Sequence, residues 1–165
     1  MRDSRIQIFV PTTLDATTTS VNGPDINLLD GYTYNGGYAE GTTLYGFPFE
    51  VMGSSAVIGN DADGFTLTWK VQAAPDNSGV AGTYTDLATI GKMAYHQTNG
   101  WTKDGLTTGT ALGLTRAKMS GRAITTKPWV RLVCTATSLT GTASVLVRAW
   151  IVDGAHPFPD SGRIY

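Results

Sequence analysis

The sequence predicts an all-β domain, an antiparallel β-sandwich of jelly-roll-like form. Three observations predict it. Apolar residues recur with a period of two, most clearly in Phe65-Thr66-Leu67-Thr68-Trp69-Lys70-Val71-Gln72-Ala73. There every odd position is apolar and the even positions are Thr, Thr, Lys and Gln, as in a strand with one face on a core and one in water. No apolar stripe at helical spacing runs beyond about two turns. Gly and Pro, 20 and 7 of 165 residues, recur too often for long helices and punctuate short strands instead. Several such strands with turns between them build a sandwich or a barrel.

The elements follow in chain order. Asp15 to Asn22 is nearly all Thr, Ser and small residues, and Asp25-Ile26-Asn27-Leu28-Leu29 reads as a short strand. Tyr32 to Tyr38 is rich in Gly and Tyr and has no period. Phe47-Pro48-Phe49-Glu50-Val51-Met52 reads as a strand at a sheet edge, because Pro cannot donate to a ladder. Ala74 to Gly79 is a turn cluster, and Thr83 to Leu87 a short return strand. Gly91 to Gly113 mixes aromatics with Thr and Gly and reads as a long loop, the core of an insertion over 91–126.

Trp129 to Thr137 and Thr142 to Val152 are two more strands, and the gap Ser138-Leu139-Thr140-Gly141 predicts a hairpin between them. Large side chains on both faces of this pair place it near the middle of a sheet or under a partner. The tail 154–165, with Pro157 and Pro159, is expected to be extended. With no internal repeat and no change of composition, residues 1–165 read as one sandwich domain. It carries an extended N-terminal segment, the 91–126 insertion and the C-terminal tail.

Composition narrows the function. Charged residues are 15% of the chain, against ~25% in a typical globular protein, and Thr, Ser, Asn and Gly fill the difference. Net charge is -1 and no basic run occurs, so no nucleic-acid partner is expected. No stretch approaches ~18 apolar residues, so no membrane span is expected. Arg2 to Arg5 precede an apolar stretch, Ile6 to Val10, that is too short for a signal peptide and is cut by Pro11.

No catalytic constellation stands out. Cys134 is the single cysteine, which excludes an intrachain disulfide; it shares parity with Val130, Leu132 and Ala136 and reads as a small core residue. His96 and His156 have no second ligand at metal spacing. Asn60-Asp61-Ala62-Asp63-Gly64 alternates oxygen donors before a glycine, as a calcium loop does, but no bidentate acid follows. A tight turn into the 65–73 strand, where Asp and Gly supply the backbone geometry, is the preferred reading. No nucleophile elbow, phosphate loop or dinucleotide fingerprint is present, so the chain reads as a non-enzyme without a cofactor. Tyr32, Tyr34, Tyr38, Tyr45, Tyr95 and Trp101 lie in loop-like stretches, and Phe158 in the tail. Such aromatics serve a protein interface, a sugar-stacking platform or packing onto the domain's own core. The interface is the reading preferred for all seven.

The order of segments resembles a known family. Leu67-Thr68-Trp69-Lys70-Val71-Gln72 runs into the turn Asp76-Asn77-Ser78-Gly79 and then Gly82-Thr83-Tyr84-Thr85-Asp86-Leu87. Lys127-Pro128-Trp129-Val130-Arg131-Leu132 leads, through a Thr/Ser/Gly turn, into a Val/Ala-rich last strand. Over roughly 65–87 and 127–152, with a looser echo at Ser20 to Asp30, this resembles the capsid cement, or decoration, proteins of tailed bacteriophages. The resemblance implies a jelly-roll-like homotrimer on the outer capsid surface of the virion, made in the host bacterial cytoplasm. It implies contact with the major capsid protein, holding adjacent subunits together against packaged DNA. Two alternatives stay open: a carbohydrate-binding sandwich, and a phage neck or tail component.

Overall fold

The computed structural model describes residues 5–28, 45–57, 64–96, 100–103, 116–139 and 141–152. Their strands are β1 (Arg5–Asp15), β2 (Ser20–Asn22), β3 (Ile26–Asn27), β4 (Tyr45–Val57), β5 (Gly64–Ala74), β6 (Asp76–Asn77), β7 (Val80–Ala81), β8 (Thr85–His96), β9 (Gly100–Lys103), β10 (Arg116–Thr125), β11 (Trp129–Thr137) and β12 (Ser144–Val152). Alternation sets the inward face of each long strand. In β5, Phe65, Leu67, Trp69, Val71 and Ala73 are buried, while Thr66, Thr68, Lys70 and Gln72 are half-buried. Val130, Leu132, Cys134 and Ala136 of β11 and Val145, Val147 and Ala149 of β12 point inward in the same way.

Two sheets enclose that core. One has the order β1-β12-β4-β10; the other has the order β2-β11-β5-β8-β9, with β3 also on β11. The ladders show how the order arises. β1 pairs with β12, β2 with β11, β4 with β10 and β5 with β8, all antiparallel. The chain therefore runs out and back as one long antiparallel ribbon, with its tip between β5 and β8. Rolling the ribbon sends successive pairs to alternate sheets and brings β12 beside β4 and β11 beside β5. That arrangement is the jelly roll.

Three expectations change. β11 and β12 do not form a hairpin; they lie in opposite sheets, and the turn after Thr137 carries the chain across. Both flanks of each strand are already occupied, β11 by β2 and β5, and β12 by β1 and β4. Their place inside a sheet is as expected. β4 is an interior strand rather than an edge, and Pro48 stands one residue past the last β4–β12 pair, Phe49 with Ile151, where a missing N–H breaks no bond to β12. Residues 91–126 are not an insertion beside the sandwich: they hold the second half of β8, then β9 and β10.

The turn cluster at 74–79 becomes a tight hairpin between β6 and β7. Ser78 and Gly79 both take positive φ, 57° and 88°, as a two-residue hairpin turn of the right twist requires. Asp76 accepts a hydrogen bond from the Gly79 N–H at 3.2 Å.

Candidate interaction surface

The core itself accounts for two of the aromatic residues singled out above. Trp101, on β9, is 1% exposed. Its ring meets Tyr95 edge-on at 5.2 Å and Phe65 at 5.7 Å, and Tyr95 stacks on Phe65 at 5.6 Å. Gly53, on the opposite sheet, makes room for it: a Cβ there would stand 2.6 Å from the Trp101 ring and 2.9 Å from Leu67. Trp101 is thus a bolt between the sheets and not a loop aromatic on the surface, and Tyr95 is half-buried against it. A sugar platform built on Trp101 has no physical basis. Tyr32, Tyr34, Tyr38 and Phe158 lie outside the described residues. Tyr45 begins β4, and its side chain is outside them too.

The Asn60–Gly64 turn falls outside the described residues except for Gly64, whose backbone passes so close to Tyr95 that no Cβ fits. Among the described residues, no group of three His, Cys, Asp or Glu side chains could hold a metal ion, and no helix is long and apolar enough to cross a membrane. Cys134 is fully buried in the core, and burial pushes its thiol well above the ordinary range, so the thiolate is scarce.

The outer face of the β2-β11-β5-β8 sheet is polar and internally paired. Gln72 receives a hydrogen bond from Arg131 Nε at 2.8 Å and donates one to Asp86 at 2.8 Å. Lys70 Nζ meets the other Asp86 oxygen at 2.6 Å. These bonds from Lys70 and then Gln72 hold the Asp86 carboxyl below its usual range. The Arg131 guanidinium lies 4.0 Å over the Tyr84 ring, and Trp129 donates to Asp76 at 2.8 Å. Burial, with the Asp25 carboxylate nearby, pushes the Tyr84 hydroxyl above the normal tyrosine range. Thr66, Thr68, Thr135 and Thr137 continue this face as a hydroxyl array.

The outer face of the β1-β12-β4-β10 sheet differs in kind. The registers set its outward side chains in rows across β10, β4 and β12. The first row is Arg116, Ser54, Leu146; the second Lys118, Met52, Arg148; the third Ser120, Glu50, Trp150; Arg122 and Pro48 end it. Lys118 bonds Glu50 at 3.0 Å and reaches within 5.8 Å of the Trp150 ring centroid. Three cations thus line β10, Arg148 stands between Leu146 and Trp150 on β12, and Glu50 and the buried Met52 lie between the two strands. Asp15, at the far corner, turns its carboxylate onto Thr17 and Thr18, whose hydrogen bonds lower its pKa.

No family model matches the chain, and no curated protein matches it. Among solved structures, one described as the structure of infectious bursal disease virus, Gx strain, is similar over 94% of this chain and 33% of that one, with 14% identity and a TM-score of 0.40. The chain spans about a third of that protein's length. The jelly roll itself is established by the strand order.

Proposed function

We propose that this chain is a structural virion protein, one that binds the outside of an icosahedral phage head and holds adjacent major-capsid subunits together. The observation that carries the reading is the strand order: an eight-strand jelly roll with its sheets in the orders β1-β12-β4-β10 and β2-β11-β5-β8, an architecture that viral capsid domains use. The segment pattern over 65–87 and 127–152 points to cement proteins within that architecture. Such a protein needs a rigid sandwich and a surface that meets its neighbours; many copies turn a modest affinity per site into firm attachment. Tyr32, Tyr34, Tyr38, Tyr45, Tyr95 and Phe158 are the proposed contact residues. Trp101 leaves that set because it packs inside, and Tyr95, half-buried, stays in it. The proposed assembly is a homotrimer, synthesised in the host cytoplasm and incorporated into the virion.

The test is its location in purified particles. Density for the chain at repeated positions over the whole shell, with stoichiometric rebinding to heads assembled without it, is the expected result. A single ring at the neck would replace the shell reading by a neck component. Absence from the particle would end the virion reading altogether. Sedimentation of the free chain checks the trimer.

A further inference from the structure

We infer that the outer face of the β1-β12-β4-β10 sheet is a docking surface for an acidic protein surface. This names the contact face and the partner chemistry of the shell-binding reading above, and rests on it for the partner being a capsid subunit. The face sets Arg116, Lys118 and Arg122 along β10 and Leu146, Arg148 and Trp150 along β12, with Met52 buried between them on β4. Half-buried Trp150, Leu146 and Arg148 beside a row of cations are residue types enriched in, or common to, protein interfaces.

Edge protection explains part of this row. β10 is an edge strand, and cations on an edge discourage strand addition. It does not explain Arg148, which lies on the interior strand β12 beside Met52. Its Nε is buried and has no acceptor among the described residues. A half-buried cation in the middle of a sheet face, away from any edge, suits a carboxylate brought from outside. Exposed apolar Ile124, 41% accessible, extends the same face along β10.

The charge pattern selects among partners. A second copy applied by two-fold symmetry would set four cations against four. A nucleic-acid strand would bring phosphates onto Glu50, and a base would have to displace the Lys118 ammonium from the Trp150 ring. A carboxylate-bearing protein surface meets neither obstacle. The rows span roughly 20 Å by 10 Å from strand geometry, far below the ~800 Å² per partner of a standard stable interface. One site alone is therefore weak, and the contact suits a protein attached in many copies.

Three variants test this. Arg116→Glu with Arg122→Glu reverses two exposed charges on the edge strand; Lys92→Glu reverses one on the opposite sheet as a control; Arg148→Met removes the interior cation at similar volume. Circular dichroism confirms folding. Binding is measured to immobilised poly-L-glutamate, to a single-stranded oligothymidylate and to head shells assembled without the chain. The expected result is salt-sensitive binding to poly-L-glutamate and to shells that falls about tenfold or more in the double variant and in Arg148→Met, with Lys92→Glu unchanged. Equal binding by the double variant, or tighter binding to oligothymidylate than to poly-L-glutamate, overturns the inference. Shells that bind wild type and double variant alike overturn it while sparing the shell-binding reading. Binding to poly-L-glutamate without binding to shells does the reverse.

Discussion

Gly53 and Trp101 show how one missing side chain holds two sheets together. Trp101 leaves β9 and reaches β4 because position 53 has no Cβ, and the gap is filled by an aromatic ring that cannot bend away. Gly53→Ala is expected to destabilise the fold by about 1–3 kcal/mol, the usual cost of overpacking a filled core. For a chain of this size that lowers Tm by about 2–4 °C for each kcal/mol. Trp101→Phe, which shortens the ring, should relieve the clash, so the double variant should lose less than the sum of the single losses. Urea titrations of the four proteins check it, and additive losses would place the strain elsewhere. None of this is legible in the sequence, where Trp101 stands among Thr, Lys and Gly and reads as a loop residue. Cys134 is the opposite case: its parity with Val130, Leu132 and Ala136 fixed it as a core residue, and it is one.

Strands were legible in proportion to the contrast between their faces. β5 alternates aromatics and aliphatics with Thr, Lys and Gln, and its outline is nearly as expected. In the sequence β8 shows only as Thr83 to Leu87. Its first five residues are exposed on both faces, and two register shifts against β5 break its period. β10 alternates Arg, Lys, Ser and Arg with Ala, Met, Gly and Ala, so its inward face is too small to register as apolar. The hairpin expected at 138–141 failed because a short gap between two good strands looks the same whether the chain turns back or crosses to the other sheet. On the β5–β8 ladder, Asp86 ties Lys70 and Gln72 together. Its folded-state pKa is lowered, so its contribution to stability is present above the ordinary carboxylate range and is lost as pH falls through the lowered value. Asp86 and Lys70 are both substantially exposed, so the effect is small and salt-sensitive. Asp86→Asn should be less stable than wild type near neutrality, and the two urea midpoints should converge in acid. A gap that persists in acid would assign the loss to packing instead of charge.

At the scale of the whole molecule the net charge of -1 conceals an asymmetry. Arg116, Lys118, Arg122 and Arg148 share one outer face with Glu50, while Asp86 stands on the other sheet bonded to Lys70 and Gln72, Asp25 lies by Tyr84, and Asp76 sits on the β6–β7 hairpin and accepts from Trp129. A scan for basic runs misses this, because period two spaces the β10 cations among inward residues and the roll brings Arg148 to them from β12. The field near one face is therefore positive although the molecule as a whole is slightly negative, and an oriented field of that kind acts on approach before any contact forms. Two variants of equal charge separate the face from the total. Arg116→Glu with Arg122→Glu, and Lys92→Glu with Lys127→Glu, each replace two positive charges by two negative ones, taking the net charge from -1 to -5. On a cation exchanger at low ionic strength, the first pair should lose more retention than the second, because the resin meets the positive face first. Equal losses would mean that total charge governs and that the four cations do not act as a unit.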